Sequence, residues 1–133
     1  MFPFVLLTDD VKLTLTGRTI ESNNPQGAIA GVRINANGTV DQNIDNQFFQ
    51  INADTDWIIP NAAASGPYQV RATVLSGSLS SGTVGVWLDL DVDRSFSVFA
   101  APGNTLSATI RIEIGIGETV IVSADFTLIA RAI

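Results

Sequence analysis

Leu106-Ser107-Ala108-Thr109-Ile110-Arg111-Ile112-Glu113-Ile114 decides the fold. Its even positions carry Leu, Ala and three Ile, and its odd positions carry Ser, Thr, Arg and Glu. Successive side chains of an extended strand point to opposite faces, so a repeat of two sorts this stretch into one buried and one wet surface. Gly115-Ile116-Gly117-Glu118 follows, a short glycine-containing connection suited to a hairpin. The next strand runs from about Thr119 to Arg131 and places Val120, Val122, Ala124, Phe126, Leu128 and Ala130 on one face. Ile121, Ile129 and Thr127 then fall on the opposite face.

The same period recurs upstream. Tyr68, Val70, Ala72 and Val74 alternate with Gln69, Arg71 and Thr73, and Val84, Val86 and Leu88 predict a strand from Gly82 to about Val92. Ala28, Ala30, Val32 and Ile34 alternate up to Asn37-Gly38, a dipeptide that suits turn positions of positive φ, so a hairpin into Thr39-Val40 is expected. Gln47-Phe48-Phe49-Gln50-Ile51 makes a short strand, and Val11, Leu13 and Leu15 make one more. No window has a helical repeat, because Pro60 and Gly66-Pro67 leave Ala62-Ala63-Ala64 room for one turn only. Eight or nine short strands between turn residues predict an all-β fold, an antiparallel β-sandwich of jelly-roll or Ig-like type, spanning residues 1–133 as a single domain.

Composition narrows the function. The chain has no His, no Cys and one lysine, Lys12, with 15% charged residues against 46% hydrophobic ones. An average soluble domain carries about 25% charged residues. A Ser-His-Asp triad and thiolate chemistry are excluded by the missing residues. A net charge of -6 argues against a phosphate-backbone partner and against an anionic membrane surface. The apolar start, Met1 to Leu7, lacks a basic region and a cleavage site, so no signal peptide is expected, and no apolar run reaches the length of a membrane span. The expectation is a protein assembled in a cytoplasm, with no nucleic-acid or membrane partner and no cofactor.

Two acidic clusters are candidate sites. Asp89, Asp91 and Asp93 at i, i+2 and i+4 would share one face of a strand, the oxygen density that calcium takes, although Arg94 and Ala100 stand where a calcium loop needs Gly and Glu. The plain alternative is a polar strand end neutralised by Arg94. Asn52, Asp54 and Asp56 precede Trp57 and suit backbone-bonding turns. Trp57, Trp87, Tyr68, Phe48 and Phe49 could form a sugar-stacking platform or serve as core and interface filler.

Several pieces occur in a specific order: Gly31-Val32-Arg33-Ile34-Asn35, Asn37-Gly38-Thr39-Val40, Asp56-Trp57, Tyr68-Gln69-Val70-Arg71-Ala72-Thr73, Gly77, Gly82-Thr83 and Trp87-Leu88. Arg94-Ser95-Phe96-Ser97-Val98 and Ala124-Asp125-Phe126-Thr127-Leu128 complete the series. In this order, residues 31–131 resemble a small β-domain that recurs among structural proteins of tailed bacteriophages. The resemblance implies a building block of the virion without catalytic residues, and a residue 89–93 stretch that is merely polar. Residues 1–30 fall outside it and are read as an N-terminal arm or edge strand. The expected function is a capsid decoration (cement) protein that forms homo-oligomers and clamps the major capsid protein or other virion proteins. A tail, baseplate or fibre-attachment component and a host-glycan-binding module are the alternatives. Candidate interface residues are Phe2, Phe4, Val5 and Leu6 of the arm and Ile121 and Ile129 of the last strand.

Overall fold

The computed structural model describes residues 13–51 and 68–133. Nine strands lie in these segments: β1 Thr19–Asn23, β2 Ala28–Ile34, β3 Val40–Ile44, β4 Gln47–Gln50, β5 Tyr68–Gly77, β6 Leu88–Asp89, β7 Arg94–Ala100, β8 Thr105–Ile116 and β9 Thr119–Arg131. They form a five-stranded sheet in the order β1-β9-β8-β5-β6 and a four-stranded sheet in the order β4-β3-β2-β7. The described residues contain no helix, and the two layers make a β-sandwich. Every pairing is antiparallel except β1 with β9, which is parallel from Thr19↔Thr127 to Asn23↔Arg131.

The β8–β9 hairpin runs as its alternation predicts, from Thr105↔Arg131 to Ile116↔Thr119. Its turn is tighter than the four-residue connection read from the sequence. Only Gly117 and Glu118 lie outside the strands, both at positive φ (57° and 63°), the conformation whose twist matches that of the strands. Between Ile114↔Val122 and Gly115↔Val120 the register shifts, leaving Ile121 as the extra residue of a bulge. The alternation therefore changes phase. Val120, expected inside, is 42% exposed, and Ile121, expected outside, packs against the margin of the core.

The core lies between the sheets. Val32, Ile34, Phe96 and Val98 from the smaller sheet face Ile110, Ile112, Ile114, Phe126 and Leu128 from the larger, all fully buried or nearly so. Ala28, Ala30, Ala108, Ala124 and Ala130 leave room for the two phenylalanine rings. Complete burial of such a Phe or Leu side chain stabilises by about 1.5–3 kcal/mol.

Among the described residues, two expected strands do not form as read. Leu13 and Leu15 are buried, yet 14–17 form a turn whose Gly17 N–H donates to Asp125 O; Val11 and Lys12 lie outside the described residues. The edge position falls instead to β1, whose Ile20 is its buried hydrophobic side chain, while Ser22 is buried through a hydrogen bond to Asp45. Residues 82–87 do not form a strand, because Gly82 (φ 117°) and Gly85 (φ 82°) bend the chain. Only Leu88 and Asp89 pair with β5, and Val84 and Val86 stand exposed. Ser81 bridges Ser97 of β7, which partly covers that edge.

The Asn37-Gly38 hairpin forms between Ile34 and Val40, but Gly38 alone adopts positive φ (93°). Asn37 accepts hydrogen bonds at its side-chain oxygen from the Thr39 N–H and hydroxyl instead. Gly38 N–H donates to Asn35 O, a type I turn closed by a glycine bulge. The two-residue turn with both φ positive in this sheet is Asp45-Asn46 (55° and 69°), joining β3 to β4.

Candidate functional site

Asp89, Asp91 and Asp93 do not share a strand face. The ladder stops at Asp89, and the chain turns through 90–92, which sends the three carboxylates to separate partners. Asp89 Oδ1 accepts from Gln69 Nε2 at 3.2 Å, and Asp91 Oδ1 pairs with Arg94 Nη2 at 3.3 Å. Asp93 Oδ1 accepts the Ala36 N–H at 2.9 Å, tying this loop to the turn between β2 and β3. Arg94 also donates through Nε and Nη2 to Asp89 O. No group of three acidic side chains placed to hold a metal ion occurs among the described residues.

The outer face of the five-stranded sheet is polar and neutralised pair by pair. Arg131 pairs with Glu21, Arg71 Nε with Glu113 Oε1 at 2.8 Å, and Arg111 grips Asp125 through two bonds of 2.7 and 3.1 Å. The hydrogen bond from Arg111 holds the Asp125 carboxyl below its ordinary value, against a smaller upward push from burial. Thr109 and Thr127 hydroxyls meet at 3.2 Å between these pairs. Ile129, one of the expected interface residues, sits half-buried in this row, opposite Glu21 on β1 and Ser107 on β8. Phe2, Phe4, Val5 and Leu6 lie outside the described residues, as do Asn52, Asp54, Asp56 and Trp57.

The aromatic residues separate into three environments. Tyr68 is buried in the core. Trp87 lies half-buried under the Arg71 guanidinium, 4.6 Å from its ring centroid, and a side chain at Gly115 would meet its indole. Phe48 and Phe49 stand 40% and 47% exposed on β4, with the Arg33 guanidinium 3.9 Å over the Phe48 ring.

β4 closes one side of the smaller sheet, and all four of its residues are exposed. Beside it is an open depression of roughly 510 Å³ lined by Arg33, Asn35, Thr39, Asp41, Gln50 and Asp93 among others. Arg33 Nη2 and Nε both donate to Asp41 Oδ2, and Asn35 Nδ2 donates to the same oxygen at 3.0 Å. Asn35 is 7% exposed, and its Oδ1 is buried without a hydrogen-bond partner.

Asp45 and Asp41 are not among the candidate residues that the sequence offers. Asp45 Oδ1 accepts from the Ile29 N–H at 2.9 Å and from Ser22 Oγ at 2.7 Å, joining β1, β2 and the β3–β4 turn. Partial burial pushes its carboxyl up, but the Ile29 N–H, Ser22 and Asn24 outweigh this and hold it below the ordinary 3.8. The available signal was Asp45-Asn46 between Ile44 and Gln47, two residues that tolerate left-handed backbone.

No family model, no curated protein and no solved structure matches this chain.

Proposed function

We propose that the chain is a non-enzymatic structural protein of a tailed-bacteriophage virion, a capsid decoration protein that oligomerises and clamps neighbouring capsid subunits. The observation that carries this reading is β4, an uncharged sheet edge with two exposed phenylalanines at one side of the sandwich. Exposed edges invite pairing, and soluble monomers blunt them with lysine, proline or a bulge. β4 has none of these, and only its short length, four residues, limits pairing. Exposed Val84, Val86 and Phe99 on other strands and loops add apolar surface for contacts with a particle. A clamp needs a stiff body, contact area of about 1,200–2,000 Å² per stable interface, and no reagents for bond breaking. The absence of His and Cys from the sequence suits that role. The phage context rests on the resemblance of residues 31–131.

The test is occupancy. Purified chain added to heads that lack it should bind saturably and raise their resistance to heat. Failure to bind heads while binding isolated tails moves the protein to a tail or baseplate role.

A host-glycan-binding module is the second reading, favoured by the depression at Arg33, Asn35, Asp41 and Gln50 beside the Phe48 ring. Replacing Asp41 by Asn should abolish glycan binding under that reading and leave particle binding intact under the first.

A further inference from the structure

We propose that β4 is a self-association edge, on which a second copy of this chain lays its own β4 antiparallel, centred on Phe49. This deepens the reading of the chain as an oligomerising structural protein and rests on it.

The two-residue turn at Asp45-Asn46 makes Ile44↔Gln47 a pair that exchanges both main-chain hydrogen bonds, and alternation assigns the next such pair to Gln42↔Phe49. The Ile51 N–H donating to Val40 O continues the series. Gln47, Phe49 and Ile51 therefore turn their main-chain groups toward β3. Phe48 and Gln50 turn theirs away from it, where β4 has no neighbouring strand among the described residues.

Symmetry selects the register. A twofold axis normal to the sheet keeps each face on its own side, so a strand meets its copy at a residue and not between two. Centring on Phe48 uses the groups of that residue alone, since the next pair falls on Asn46 in the turn. Centring on Phe49 pairs Phe48 with Gln50 of the second copy on both sides of the axis, and every outward N–H and C=O is satisfied. The two Phe49 side chains then face each other in the close, non-hydrogen-bonded position, where aromatic pairs meet.

Electrostatics favour a copy over an unrelated strand. The chain carries -6, yet β4 is neutral, so no like charges face each other along this edge. On the outer face Asp41 lies beside Gln50, and Arg33 covers Phe48. The register sets Gln50 of each copy next to Phe48 of the other, which brings the Arg33 cation of one toward the Asp41 side of its mate.

The experiment is sedimentation equilibrium of the full chain over a concentration series, with residue-resolved amide exchange. Two variants and a control accompany it. Phe49→Lys places like charges opposite each other on the axis. Gln50→Pro removes an outward N–H that the β3 ladder does not use, a position where an edge strand tolerates proline. Val92→Lys alters an exposed loop residue elsewhere. The expected result is a monomer–dimer equilibrium in which Phe48 and Gln50 amides gain protection with concentration. Each β4 variant should weaken association at least tenfold while the melting temperature of the dilute monomer stays unchanged, and Val92→Lys should not weaken it. Assembly that persists unchanged in both β4 variants overturns this edge while leaving the assembly reading intact. A strict monomer with freely exchanging Phe48 and Gln50 amides overturns both. Protection of those amides in the dilute monomer shows that another part of the same chain covers β4, and it also overturns the proposal.

Discussion

Replacing Asp45 by Ala should be among the most damaging substitutions of a half-exposed residue in this fold. Its carboxylate accepts from the Ile29 N–H and from the hydroxyl of Ser22, a residue only 1% exposed. Hydrogen bonds to a charged acceptor contribute about 1.5–3 kcal/mol each when buried, and about 1 kcal/mol each is the discounted figure for a site partly open to solvent. Asp45 also sits at φ 55°, where a residue other than Gly, Asn or Asp pays about 1–2 kcal/mol. The two effects together predict a loss of about 3–4 kcal/mol, a fall in melting temperature of roughly 10–15 °C for a domain of this size. Asp45→Gly separates them, because it keeps the backbone freedom and loses only the hydrogen bonds. It should lose about 2 kcal/mol. The pH dependence follows from the lowered carboxyl. A depressed folded-state value contributes stability that is complete above the unfolded 3.8 and is lost as pH falls through the folded-state value. Urea unfolding of wild type, Asp45→Ala and Asp45→Gly at pH 7 and again near pH 2 is the assay. The gap between wild type and Asp45→Gly should shrink in acid. Equal stability of all three at pH 7, or a gap that grows in acid, would refute the reasoning.

Gly31→Ala should destabilise by about 2 kcal/mol or more, since the new methyl would lie 2.5 Å from Phe96 O and 2.7 Å from Ser97 Cβ, and strand backbone cannot retreat cheaply; thermal unfolding by circular dichroism reads this. Phe126→Ala, which empties a nearly sealed position of the core, should cost about 3–5 kcal/mol in urea titrations. Asp93→Ala removes the bond to the Ala36 N–H, and amide exchange at Ala36 should accelerate while the β8–β9 hairpin stays protected. Millimolar calcium should leave the melting temperature unchanged, because Asp89, Asp91 and Asp93 are drawn to Gln69, Arg94 and Ala36; a rise of several degrees would show that the loop can gather them.

The fold was legible where a strand has one greasy and one wet face. β8 and β9 separate Ile110, Ile112 and Phe126 from Arg111, Glu113 and Asp125 without ambiguity, and their ladder follows. Alternation misleads where it is real but unburied. Val84, Val86 and Leu88 have the period of a strand, yet positive φ at Gly82 and Gly85 carries the first two into solvent. β1 carries almost no such signal, because Thr19-Ile20-Glu21-Ser22-Asn23 has a single large apolar side chain. That strand is held by its parallel ladder to β9 and by the Ser22–Asp45 bond, partners separated from it by long stretches of chain. Periodicity identifies a strand but not its neighbour. The phase change at Ile121 is equally local, since one extra residue moves Val120 outward without any break in its apolar run. Among the candidate sites, the exposed phenylalanines of β4 were visible as a sequence pattern, whereas the polar cluster of Asn35, Arg33 and Asp41 depends on the register of β2 against β3.

The most direct test of the proposed assembly role is copy counting by quantitative mass spectrometry on gradient-purified phage particles from a lysate that contains this chain. A decoration protein should be present in fixed ratio to the major capsid protein and on intact heads freed of tails. Its absence from purified particles, with the chain free in the lysate, would contradict the account.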